Sequence, residues 1–193
     1  FWVLDRTLQV CGNPNKIKII NGKIFSAEDG NSASLTDAIA DQMDRTDIIN
    51  LSLGSARSVP YSFVSLFLSI FNSLLNEFVA NGGYTIISAG NEGEVLSNGS
   101  VVENGNWLAD DPNNNLSVAS HNAQGEWDVY SSAGGTVDVS AIGSDLRLLG
   151  QRKISTVSGT SFSAPSFTGL CGNYLLNQFS QLRDGSKTAK EII

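Results

Sequence analysis

Ser158-Gly159-Thr160-Ser161-Phe162-Ser163-Ala164-Pro165 runs directly into a helical pattern that the spacing extends from Ser161 to Phe179. A serine at a helix start lies near unpaired backbone N–H groups and the positive end of the dipole, where a developing oxyanion is stabilised. Read blandly, Ser161 is simply an N-cap. Pro165 is expected in the first turn, where its missing N–H removes no intrahelical bond. Ser163 stands where the GxSxG elbow of α/β-hydrolases would need a second glycine, so that elbow is excluded.

Upstream of this stretch, apolar runs alternate with helical patterns. Ile48-Ile-Asn-Leu-Ser52 reads as a short strand ended by Gly54, and Tyr84–Ala89 as a buried strand ended by Gly90-Asn91-Glu92-Gly93. A long helix from about Pro60 to Ala80 separates them and closes at Asn81-Gly-Gly83. Ser34-Leu-Thr-Asp37 resembles a capping box opening a helix through Leu35, Ala38, Ile39 and Met43. Further strands are expected at Lys16–Phe25, Leu116–Ser120, Val129–Ser132 and Thr136–Ile142, with a hairpin over Asp145–Val157 around Gly150. Residues 93–115 read as loop. Phe1, Leu4, Leu8 and Cys11 share helical spacing before Gly12 and Pro14. The alternation predicts an α/β fold of three layers, a mostly parallel sheet with helices on both faces, in a single domain over 1–193.

Composition narrows the function. The chain has 193 residues, with 12 Lys+Arg against 19 Asp+Glu and a net charge of −7, which argues against a nucleic-acid binder. One histidine and two cysteines exclude HExxH and clustered zinc sites. Ser58–Asn76 is uncharged over 19 residues, long enough to cross a bilayer. Yet Ser62, Ser65, Ser69, Ser73 and Asn76 form one polar stripe, with Phe63, Phe67, Ile70 and Leu74 on other faces. The expectation is a packed amphipathic helix and no membrane span.

In this order and spacing, the two glycine-ended strands and the Ser158–Pro165 stretch resemble the subtilisin-like serine proteases. The resemblance covers roughly residues 10–180, including Val118 to Ile142 and a weaker likeness over Asn13-Pro14-Asn15 to Lys23-Ile24-Phe25. It implies a serine endopeptidase with Ser161 as nucleophile and Asn91 as oxyanion donor. It further implies that Ser52, Leu53 and Gly54 pair with substrate backbone, while Ser88, Ala89 and Gly90 wall the primary specificity pocket.

The family's Asp and His motifs precede this region in chain order, and neither is found before Gly12. His121 falls between the oxyanion and nucleophile segments, out of place for the base. Asp5 sits either on a strand that ends in the catalytic Asp or, better supported, in the later turns of the histidine-bearing helix. The chain therefore reads as an N-terminally truncated domain whose Asp and His come from its own upstream segment or another chain. A catalytically inactive peptide-binding module is the alternative. No cofactor is required by this reading. Structural calcium at Glu103, Asp110 or Asp111 has no diagnostic spacing. Asn98 and Asn115 lie in glycosylation sequons, which matter on a eukaryotic secretory route. Cys11 and Cys171 leave a bridge open, and low charge content suits a secreted hydrolase.

Overall fold

A computed structural model describes residues 17–20, 32–54, 60–95, 101–102, 106, 116–149 and 154–193. Its elements in chain order are α1 (Ser32–Gln42), β1 (Ile48–Leu51), α2 (Tyr61–Ala80), β2 (Tyr84–Ser88), β3 (Glu94–Val95) and β4 (Val101–Val102). They continue with β5 (Leu116–His121), β6 (Val139–Ile142), β7 (Leu146–Leu149), β8 (Ile154–Val157), α3 (Thr160–Asn177), α4 (Phe179–Arg183) and α5 (Ala189–Ile192).

Four strands form a sheet in the order β1-β2-β5-β6, every pair parallel. Side chains alternate across it with the two-residue strand period. Ile87 and Leu51, register partners, face one side with Leu68, Phe71 and Leu75 of α2 and Leu35 and Ile39 of α1. Ile86 faces the other with Val118 and Ala141, against Ala164 and Cys171 of α3. Two helices on one face and α3 on the other give the expected three layers.

Several local expectations differ. α1 begins at Ser32, so Ser34–Asp37 lie inside its first turns; a hydroxyl residue caps only where the backbone leaves the helix. Ile17–Ile20 hold no regular structure, and the rest of Lys16–Phe25 lies outside the described residues. Val129–Ser132 is a turn rather than a strand, and Thr136–Ile142 shortens to β6. Part of the expected loop forms the antiparallel β3–β4 pair. β7 and β8 pair antiparallel as the hairpin reading expects, and the turn around Gly150 lies outside the described residues.

By length and composition α2 could cross a membrane, with 28% of its most apolar window buried. Its core face is Leu68, Phe71, Leu75, Phe78 and Val79, whereas Phe63 and Ile70 are 81% and 51% exposed. The core stripe is therefore rotated from the one that the polar residues suggested. Serines reveal where a helix tolerates water, but Tyr61, Phe63, Leu66 and Ile70 share that solvent side.

Candidate active site

Parallel strands deliver their carboxyl ends to one edge of the sheet, where ligand-facing groups of open α/β sheets gather. Here that edge carries Ser52–Gly54 after β1 and Ala89–Asn91 after β2. The start of α3 joins them: a cleft of about 200 Å³ is lined by Leu53, Gly54, Ser88, Asn91 and Ser161 among others.

Ser161 is the second residue of α3, because Gly159 is the N-cap and Thr160 opens the helix. It is thus not a capping serine. Pro165 also sits one turn deeper than expected. The N–H that it lacks would have reached the Ser161 carbonyl in the i→i−4 ladder, so this proline does interrupt helix bonding. Gly159 has φ +149, a conformation that side chains rarely adopt, and donates its N–H to the Gly143 carbonyl at 2.9 Å. The Gly143 carbonyl also accepts from the Tyr130 hydroxyl at 3.3 Å. That hydroxyl, pushed above its ordinary pKa mainly by burial, also donates to Asp128, which takes a second bond from Ser120. A partly buried polar cluster thereby braces the turn that presents Ser161.

Asn91 is fixed by one neighbour. Its Oδ1 accepts from the Thr160 N–H at 2.8 Å and the Thr160 hydroxyl at 3.0 Å. A backbone N–H can only donate, so the amide's orientation is determined: oxygen toward Thr160, Nδ2 left for another acceptor. Thr160 Oγ1 in turn accepts from Gly90 N at 3.2 Å, locking the β2 exit to the helix start.

Past the ladder, which ends at Leu51↔Ile87, the Leu53 carbonyl is turned inward. It accepts from Asn106 Nδ2 at 3.0 Å, and the same amide nitrogen reaches the Ser88 carbonyl at 3.0 Å. Ser52 and Gly54 flank this carbonyl in the chain. Behind them, Asn50 Nδ2 donates to Ser52 Oγ and Asn50 Oδ1 accepts from Thr168 on α3, each at 3.0 Å.

The structure therefore brings Ser161, Asn91, Ser52, Leu53, Gly54, Ser88, Ala89 and Gly90 to one edge, with Ala89 buried behind the cleft wall. Three clamps were not singled out from sequence: Thr160, Asn106 and Asn50. Asn50 carried a signal, since a lone amide in an apolar strand must find partners. Asn106, 2% exposed, lay unmarked in a segment that read as loop.

His121 ends β5 with Nδ1 bonded to Ser140 Oγ at 3.0 Å, and among the described residues no side chain accepts a hydrogen bond from Ser161 Oγ. Asp5, Cys11, Glu103, Asp110, Asp111 and both sequon asparagines, Asn98 and Asn115, lie outside the described residues. Among those described, no group of three His, Cys, Asp or Glu could hold a metal. Cys171 is a buried free thiol.

The chain is similar to known proteases in sequence and in fold. The alkaline proteinase of Hapsidospora chrysogena is 26% identical over 168 residues, covering 86% of this chain and 39% of the relative. A subtilisin-like protease of Coccidioides posadasii is 29% identical over 175 residues, again covering 86% and 39%. The chain thus spans about two fifths of the length of these curated relatives. Among solved structures, a lanthipeptide protease matches with a TM-score of 0.77 at 18% identity, over 99% of this chain and 64% of that one. The prenylagaramide maturation protease PagA matches with a TM-score of 0.68 at 22% identity, over 86% and 57%. At such identities the structural likeness speaks for the fold alone. The family model described as "Subtilase family" matches residues 7–183, and with it the glycine-ended strands and the Ser161 helix find one explanation: this chain belongs to the subtilase family.

Proposed function

We propose that this chain is the nucleophile-bearing part of a serine endopeptidase, its Asp and His supplied by an upstream segment of the same protein or by another chain. The observation that carries the reading is the Asn91 amide, whose oxygen is held by Thr160 while its NH₂ is left to donate beside Ser161.

The chemistry is acyl transfer. Ser161 Oγ forms a bond to the scissile carbonyl carbon and its proton passes to the supplied imidazole. Asn91 Nδ2 and the Ser161 N–H stabilise the oxyanion of the tetrahedral intermediate. The C–N bond then breaks, the imidazole protonates the departing amine, and water repeats the sequence on the acyl-enzyme. Substrate backbone lies along Ser52–Gly54 as an added strand. Among the described residues β1 is an edge strand of the sheet. A strand added to it in the parallel sense ends beside Ser52, a suitable place for the supplied Asp.

The substrate is a peptide or protein, not nucleic acid, α2 packs rather than spans, and the low charge content suits a secreted hydrolase. The acyl transfer itself requires no cofactor. The test is labelling with a fluorophosphonate probe, on the chain alone and after adding the upstream segment. Labelling of Ser161 in the reconstituted form is expected, and its loss in Ser161→Ala. A chain that binds peptides yet labels in neither form would be the peptide-binding module instead.

A further inference from the structure

We propose that Tyr130 is a positioning residue for the oxyanion site, its backbone holding the Asn91 loop and its hydroxyl the Ser161 turn; the proposal rests on reading the cleft as an acyl-transfer site. The turn that bears Tyr130 is anchored in the interior, where Ser131 and Ser132 are fully buried. Ser131 Oγ accepts the Ser120 N–H of β5 at 2.9 Å, which ties the turn to the sheet. Two backbone bonds then join it to the loop that carries Asn91. Gly93 N donates to the Tyr130 carbonyl at 2.9 Å, and Ser132 N donates to the Gly90 carbonyl at 3.0 Å. Asn91 lies between these two anchors. The segments touch closely: a Cβ built on Gly93 would come within 2.2 Å of the Ser131 carbonyl oxygen, so a side chain there would force them apart.

The side chain of Tyr130 reaches the nucleophile segment. Its hydroxyl lies 3.3 Å from the Gly143 carbonyl, which also takes the Gly159 N–H. One proton is shared there between Gly143 and the Asp128 carboxylate at 3.1 Å, with Ser120 Oγ 2.9 Å away. Gly159 is the N-cap of the helix that presents Ser161, so its φ of +149 sets how that helix begins. Thr160 already links Asn91 to this helix start directly. Tyr130 adds a second link, which keeps Asn91 Nδ2 and the Ser161 N–H in register. Register matters because a hydrogen bond to a developing oxyanion weakens steeply with misalignment. Since the Gly143 bond is long and shared, the loss expected on removing the hydroxyl is about three- to tenfold in kcat.

The experiment measures kcat and KM for a peptide 4-nitroanilide with the reconstituted enzyme, in wild type, Tyr130→Phe, Asn91→Ala and the double variant. Tyr130→Phe keeps the ring and both backbone bonds. It is expected to lower kcat by the stated factor while KM changes by less than about twofold. In the Asn91→Ala background the same substitution should change kcat by less than about twofold, because no second donor is left to hold in register. Loss of the same factor in both backgrounds, a change confined to KM, or no change in Tyr130→Phe overturns the proposal and leaves Tyr130 a residue of the fold alone. Absence of turnover in the reconstituted wild type overturns the acyl-transfer reading, and this proposal with it.

Discussion

Asn91 can donate to an oxyanion only while Thr160 holds its oxygen, so the two residues should fail together but unequally. In the enzyme reconstituted with its Asp and His, Asn91→Ala is expected to lower kcat by about 10²–10³, the range known for a subtilisin that loses this donor. Thr160→Val keeps the backbone bond but loses the hydroxyl, and should cost about tenfold in kcat with little change in KM; Thr160→Ser should restore most of it. Cys171 gives a test that needs no activity. Burial pushes its thiol up to about 12 from 9.0. The folded state therefore holds that proton more tightly than the unfolded one. Its contribution to stability is complete below about pH 9 and declines as pH rises from 9 toward 12. The stability gap between wild type and Cys171→Ala, measured in urea at pH 8 and pH 10, should shift against wild type at the higher pH. Ser161 and Asn91 were legible because each stands in a contiguous glycine-rich stretch. Thr160 and Asn106 were not, since what they do depends on partners 69 and 53 residues away.

α2 shows what can be read within one element and what cannot. Its limits were plain, Pro60 being the N-cap and Gly82 following the Asn81 C-cap with φ +95. Its phase was not, because apolar side chains occur around most of the helix. Phe71, fully buried, and Phe63, 81% exposed, separate the two readings. Phe71→Ala should lower unfolding free energy by about 3–5 kcal/mol, and Phe63→Ala should change it by about 0.5 kcal/mol or less, both from urea denaturation. The loop after β1 has an equally sharp dependence. A Cβ at Gly54 would come within 2.1 Å of the Asn106 amide. Gly54→Ala should therefore displace Asn106 from the Leu53 and Ser88 carbonyls. The expected cost is about 1–3 kcal/mol of stability, with weaker peptide binding measured on the same preparation.

Over the whole molecule, the site exists only because four parallel strands bring their carboxyl ends to one edge and α3 crosses behind them. Side-chain bonds then tie the segments pairwise: Asn50 joins β1 to α3 through Thr168, Asn106 joins β1 to β2, and Thr160 joins β2 to α3. The sequence by itself determined the alternation of strands and helices and the subtilase resemblance, and it singled out Ser161 and Asn91 as candidates. Those follow from local periodicity and from glycines that only certain backbone turns require. Tertiary structure alone decided which stripe of α2 is core, that Ser161 lies inside the helix rather than capping it, and which way the Asn91 amide points. Each of these is set by contacts between segments far apart in the chain. A short stretch of sequence encodes which groups it can offer, but not which partner the fold will place against them.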